Sequence, residues 1–232
     1  MKQHTKTIIV VITGATILIG GIWIINESRY PNVPAFKDHF TREFLNKDKK
    51  VDDGFYEFKS RTGQYMMWFP EEFVIANDDG QGYSKNGQNY EDWRALSTKK
   101  YKGENLIGQL NLKFFERSTK DEAVFVEATF KRRFHANKPK VIEMKDKKIY
   151  YDNAYTYFKG TEEKVIEDKS SYIPNTYVAY VVDEHSNKTI EISYDSIGNN
   201  LSRNEGNKTN KQFLKMLKSI HFRPENNGDV RG

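Results

Sequence analysis

The chain has 232 residues, with 37 Lys or Arg against 32 Asp or Glu, a net charge of +5 and no cysteine. Within these residues the missing cysteine excludes disulfide staples, thiolate metal centres and a lipidated cysteine. Without Lys2 and Lys6 the balance is 35 basic against 32 acidic groups, or +3, which argues against the concentrated basic face of a nucleic-acid reader.

Residues 1–7 are a short polar start, expected to be cytoplasmic. Residues 8–25, IIVVITGATILIGGIWII, carry no charge. At about 1.5 Å per helical residue they cover roughly 27 Å, close to the ~30 Å apolar thickness of a bilayer. No small-residue cleavage pattern follows Trp23-Ile24-Ile25, so an uncleaved single-pass transmembrane helix is expected rather than a removed signal. Lys2 and Lys6 precede the run, while Glu27 and Arg29 cancel after it. This places the N-terminus inside and residues 26–232 outside the cell membrane.

Residues 26–53 are expected to form a stalk. Phe36, Phe40 and Phe44 recur at i, i+4 and i+8 on one face of a short amphipathic helix, and 46–53, NKDKKVDD, is expected to be a solvated charged loop. An extracytoplasmic domain is expected over 54–223. It opens with strands at 55–59 and 64–69 around the turn Arg61-Thr62-Gly63, the second stopped by Pro70. Residues 77–92, with Asp78-Asp79-Gly80, Gly82 and Asn86-Gly87, have loop chemistry. Extended segments follow at 94–101 and 106–116. Ser118 or Thr119 with Glu122 can cap a helix through Ala123, Val126, Phe130 and Phe134. Further strands are expected at 141–144, 149–151 and 154–158. A hairpin pairs 176–182 with 189–194, a closing helix covers 207–218, and a last strand follows at 220–222. Residues 224–232 are polar and expected to be a disordered tail.

This order predicts an α+β fold, a mainly antiparallel sheet with helices packed on its faces, behind one N-terminal transmembrane helix. The hairpin ending in Trp68-Phe69-Pro70-Glu71-Glu72-Phe73, the strand and helix after it, and the helix running into Lys218-Ser219-Ile220-His221-Phe222 resemble the PsbP-like fold over residues 55–222. The resemblance implies an α/β/α sandwich and a non-enzymatic, membrane-associated accessory module. It brings no catalytic residues, and the chain departs from lipoprotein members in lacking the cysteine they acylate.

Motifs for chemistry are incomplete. His4, His39, His135, His185 and His221 are scattered, so a zinc site is not expected. Asp78-Asp79-Gly80 lacks the alternating oxygen ligands of a calcium loop. Ser97-Thr98-Lys99-Lys100 fits Ser-x-x-Lys without the companion elements of an acyltransferase. No cofactor is expected.

Two surface features remain. Lys131, Arg132, Arg133, Lys138 and Lys140 concentrate charge near the end of the first domain helix; they either complement its dipole or contact an anionic surface. Tyr155, Tyr157, Tyr177 and Tyr180 either pack the sheet or face a ligand. The expected function is a binding or accessory module of the bacterial cell envelope, partnered by the membrane and by an envelope protein or polymer. The alternative is an envelope hydrolase using carboxylates such as Asp78, Asp79 or Glu104.

Overall fold

The computed structural model describes residues 29–77, 81–101, 104–117, 121–134, 138–166, 172–197 and 202–224. A helical turn α1 (Pro34–Lys37) and a 3-10 turn (Thr41–Phe44) lead into β1 (Leu45–Asp52), β2 (Phe55–Lys59), β3 (Tyr65–Pro70), β4 (Val74–Ile75), β5 (Tyr83–Asn86), β6 (Tyr90–Tyr101) and β7 (Glu104–Glu116). Helix α2 (Glu122–Phe134) follows, then β8 (Lys140–Glu143), β9 (Lys147–Lys159), β10 (Glu162–Ile166), β11 (Thr176–Asp183), β12 (Lys188–Ile197), helix α3 (Arg203–Ser219) and β13 (His221–Phe222).

The strands make two sheets, a four-stranded one ordered β1-β2-β3-β13 and a nine-stranded one following β10-β9-β11-β12-β7-β6-β4, with β5 on β6 and β8 on β9. Every pairing is antiparallel. On β6, β7 and β12 the residues Trp93, Ala95, Leu110, Leu112, Phe114, Ile190 and Ile192 are buried in one cluster with Phe55, Phe58, Tyr65, Met67 and Phe69 of β2 and β3. Phe213, Met216 and Leu217 of α3 complete this core. On the opposite face, Val126, Phe130 and Phe134 of α2 cover Ala154 of β9 and Val178, Tyr180 and Val182 of β11.

The expected α+β sandwich, with helices layered on both faces of one sheet, is therefore corrected. The fold is mostly antiparallel β, and the inner face of the large sheet is covered by a second sheet as well as by α3. Charged segments assigned to loops are the cause. All of 46–53 except Asp53 belongs to β1, which pairs with β2, and Glu162–Ile166 pairs with β9 across Gly160, whose φ is +67°. Both are outermost strands, where charged side chains stay solvated and discourage further pairing. The loop at 77–92 likewise contains β5, joined to β6 at Asn86-Gly87 by a turn with Gly87 at φ +56°. The two strands expected at 149–158 are one continuous β9. The expected transmembrane helix at residues 8–25 falls outside the described residues, as do Ser118, Thr119 and 225–232. Among the described residues no helix is long and apolar enough to cross a membrane.

The Phe36, Phe40 and Phe44 pattern is divided between two short turns. Asp38 leaves helical geometry at ψ 123°, and its carboxylate accepts from the Thr41 N–H (2.7 Å) and the Thr41 hydroxyl (2.6 Å), competing with the continuing helix. Phe36 and Phe44 are buried, the first against Tyr56 (4.8 Å between ring centroids) and the second stacked on Phe58 (5.3 Å). The closing helix is anchored at its start by a reciprocal Ser202/Glu205 capping box.

A buried polar knot joins the two sheets. Glu91 of β6 is fully buried and accepts from the Tyr83 hydroxyl (2.8 Å), the Arg61 backbone N–H (3.0 Å) and the Thr62 hydroxyl (3.4 Å). Tyr65 of β3 also bonds Glu91, and its hydroxyl accepts from Trp93 Nε1 (2.9 Å). Burial pushes the Glu91 carboxyl above its ordinary value of 4.5, against the pull of these donors. Arg61 lies over the rings of Phe40 (4.5 Å), Phe44 (4.6 Å) and Tyr83 (5.2 Å), closing the knot beneath the 3-10 turn.

Tyr65→Phe leaves Trp93 Nε1 without its acceptor in the core and is expected to cost about 1–3 kcal/mol, read as a lowered urea midpoint at unchanged slope. Because the folded state holds the Glu91 proton more tightly than the unfolded chain does, Glu91 lowers stability as pH rises above about 4.5. The unfolding free energy of the native chain minus that of Glu91→Gln is expected to fall through that range. A difference that rises with pH would show that the donors outweigh burial.

Candidate functional site

Alternation gives the large sheet a polar outer face over the middle of β6, β7 and β12, beside α2. Since Trp93, Leu112 and Ile192 point into the core, Asp92 and Arg94 of β6, Asn111 and Lys113 of β7, and Glu191, Ser193 and Asp195 of β12 point outward. The register lines them up in rows: Asp92, Lys113 and Glu191 in one, Arg94, Asn111 and Ser193 in the next. Arg132 and Arg133, in the last turn of α2, overhang these rows, and with residues 81–84 they enclose a trough of about 420 Å³.

Its polar groups are largely held in place by one another. Gln109 Nε2 donates to Asn111 Oδ1 (3.2 Å), and Asn111 Nδ2 donates to the Ser193 hydroxyl (3.2 Å). Tyr90 donates to Asp92 (3.1 Å), which faces Lys113 at 4.0 Å. Arg132 pairs with Glu191 at 2.5 Å and Arg133 with Asp195 at 2.7 Å. Burial raises the Asp195 carboxyl, opposed by the Arg133 guanidinium. The Nε atoms of Arg94 and Arg133 are buried without a hydrogen-bond partner. Such a trough, with amide and hydroxyl groups fixed between ion pairs, is suited to a ligand with several hydrogen-bonding groups.

The residues singled out from sequence are dispersed. Arg132 and Arg133 reach the trough, where each is engaged by a carboxylate. Lys131 is exposed on α2, Lys138 and Lys140 are exposed at the approach to β8, and the Lys140 ammonium lies 5.8 Å from the Tyr151 ring. Tyr177 and Tyr180 are each 1% exposed. They are core residues, the Tyr177 hydroxyl lying 3.2 Å from the Pro174 carbonyl and 3.3 Å from that of Gly206, and this corrects the reading of them as ligand-facing. Tyr155 and Tyr157 lie farther along β9, beyond the point where Asn153 meets Asn210 of α3 (3.4 Å). Tyr155 stacks with Tyr157 (6.4 Å) and Tyr172 (5.0 Å), beside the exposed Phe158. Asp78, Asp79 and the Glu104 side chain lie outside the described residues. Among the described residues no three His, Asp or Glu side chains gather as a metal site.

Sequence reasoning missed the carboxylates and amides of the trough. Their outward placement was readable in the alternation of β7 and β12. Their convergence was not, because it depends on β12 pairing with β7, which brings together Asn111 and Ser193, 82 positions apart.

No curated protein and no solved structure matches the chain. A family model described as "Putative lipoprotein YvcA" matches residues 31–221, spanning both sheets, the trough and helix α3. The chain therefore belongs to the YvcA_Mog1p family, of the PsbP-like/Mog1p fold.

Proposed function

We propose that the chain is a membrane-anchored extracytoplasmic module that binds another component of the cell envelope through the trough between α2 and strands β6, β7 and β12. The observation that carries this reading is the set of amide and hydroxyl groups, Asn111 and Ser193, held between the ion pairs of the trough lining. The family's description as a lipoprotein supports the membrane location, although the 232 residues contain no cysteine to carry a lipid. The trough is lined by Arg94, Lys113, Arg132 and Arg133 against Asp92 and Glu191, and Asp195, outside the lining, neutralises Arg133; the small charge left over suits an uncharged or mixed-charge polymer better than a polyanion.

Purified peptidoglycan fragments are the direct probe. Arg94→Ala and Asn111→Ala are each expected to weaken their binding about tenfold, as for loss of a hydrogen bond involving a charged or fixed polar group, while Tyr155→Ala leaves it unchanged. Equal binding by all three variants would overturn the assignment. Because Arg132 and Arg133 are already neutralised by carboxylates, raising salt from roughly 50 to 200 mM is expected to change the affinity by no more than about twofold. A polyanion would show a far steeper loss, since each neutralised charge adds to the salt slope.

A further inference from the structure

A second cavity lies on the opposite face of the large sheet, between its inner surface and the first half of α3. Its origin is visible in the register. Successive inward rows across β6, β7 and β12 read Trp93, Leu112, Ile192; then Ala95, Leu110, Tyr194; then Ser97, Gly108, Ser196. The side chains shrink along the sheet while α3 continues over it, and a cavity of about 170 Å³ results. Its apolar walls include Phe73, Leu106, Leu110, Phe213 and Met216.

The floor is polar. A Cβ placed on Gly108 would lie 2.6 Å from the Ser97 hydroxyl oxygen and 3.3 Å from that of Tyr194, so the two hydroxyls converge over the one position that has no side chain. Ser196 Oγ, buried in the same row, has no partner in hydrogen-bonding geometry although it lies close to Tyr194. Burial pushes the Tyr194 phenol up to about 12. Thr209 and Gln212 of α3 and the charged Glu72, Glu205 and Lys208 belong to the same lining.

We propose that this cavity is a binding site for a single aromatic ring carrying a hydroxyl group, that is, a phenol. The size is that of one ring, since a dry apolar cavity of about 150 Å³ accepts benzene. The edges of Phe73, Phe213 and Tyr194 offer the tilted contacts that aromatic rings prefer. Ser97 and Tyr194 each donate and accept, so together they satisfy a phenolic hydroxyl in either role. A purely aliphatic occupant would cover the Ser97 hydroxyl and leave it unpaired, which is unfavourable. The ring is supplied either by a free phenol or by a tyrosine of a peptide. This site is separate from the outer trough, and its existence does not depend on the trough's function.

The test uses the full-length chain and ligand-observed NMR titration with p-cresol, toluene, octanoate and an end-blocked Gly-Tyr-Gly peptide. Saturable p-cresol binding is expected, about fivefold tighter than toluene, as one net hydrogen bond implies, with no saturable binding of octanoate. The peptide binding as well as p-cresol identifies a tyrosine side chain as the source, whereas p-cresol alone identifies a free phenol. Tyr194→Phe is expected to narrow the preference for p-cresol over toluene, and Tyr194→Phe with Ser97→Ala to abolish it. Thr209→Leu fills the cavity from α3 and is expected to weaken p-cresol at least tenfold; since Thr209 also bonds the Tyr194 hydroxyl, a cooperative unfolding transition shows that the variant is folded. Arg94→Ala in the trough leaves p-cresol binding unchanged. Failure of both phenolic probes to saturate, or p-cresol binding that survives Thr209→Leu, overturns the proposal whatever the trough binds.

Discussion

The contact on which the architecture depends is the knot around Glu91. A carboxylate with no exposure is tolerated only where several donors meet it, and here they come from β3, β5 and the turn after β2. The requirement fixes how the small sheet sits on the large one, because Tyr65 must reach both Glu91 and Trp93 Nε1. Apolar contacts between the sheets, such as Phe58 on Trp93 (5.5 Å) and Tyr65 on Phe114 (5.4 Å), supply burial but tolerate sliding. The hydrogen bonds do not. Low dielectric makes such a network costly to leave half satisfied, which is what gives it specificity.

With the sheets registered, the large sheet presents two unlike surfaces from the same three strands. On β6, β7 and β12 the outward residues that line the trough are polar or charged, and the inward ones are apolar except for Glu91 and the last small row. The fold therefore builds a polar trough and an apolar cavity back to back, separated by one layer of backbone. Helix α2 borders the first through Arg132 and Arg133, and α3 borders the second through Thr209, Gln212 and Phe213. A ligand in one has no direct contact with a ligand in the other.

Much of the β structure was legible. β7, β11 and β12 alternate or run apolar without interruption, and both long helices show their period. What escaped was polar. β1 and β10 are outermost strands whose charged side chains need not be buried, so the hydrophobic pattern that marks a strand is missing there. Ser202 caps α3 through Glu205, ahead of the start expected for that helix at 207. In the candidate site, Arg132 and Arg133 stood out as a basic run, yet their partners Glu191 and Asp195 are 59 and 62 positions away. Single-sequence periodicity reports which side of a strand a residue occupies and is silent about which strand lies beside it.

The last strand carries a consequence for how the chain acquires this form. β13 pairs with β3, Trp68 N–H donates to the Ser219 hydroxyl across 151 positions, and Lys188 Nζ donates to the carbonyl of Arg223. The small sheet, begun within the first third of the chain, thus stays open at one edge until residue 222 has been made. A ribosome-bound or partly exported chain exposes the aromatic face of β2 and β3 for nearly the whole of its synthesis. Distant pairings of this kind slow folding and lengthen the exposure of apolar surface, so the small sheet is completed only once residue 222 is available, and factors that shield nascent chains have their greatest effect on the segment from Phe55 to Pro70.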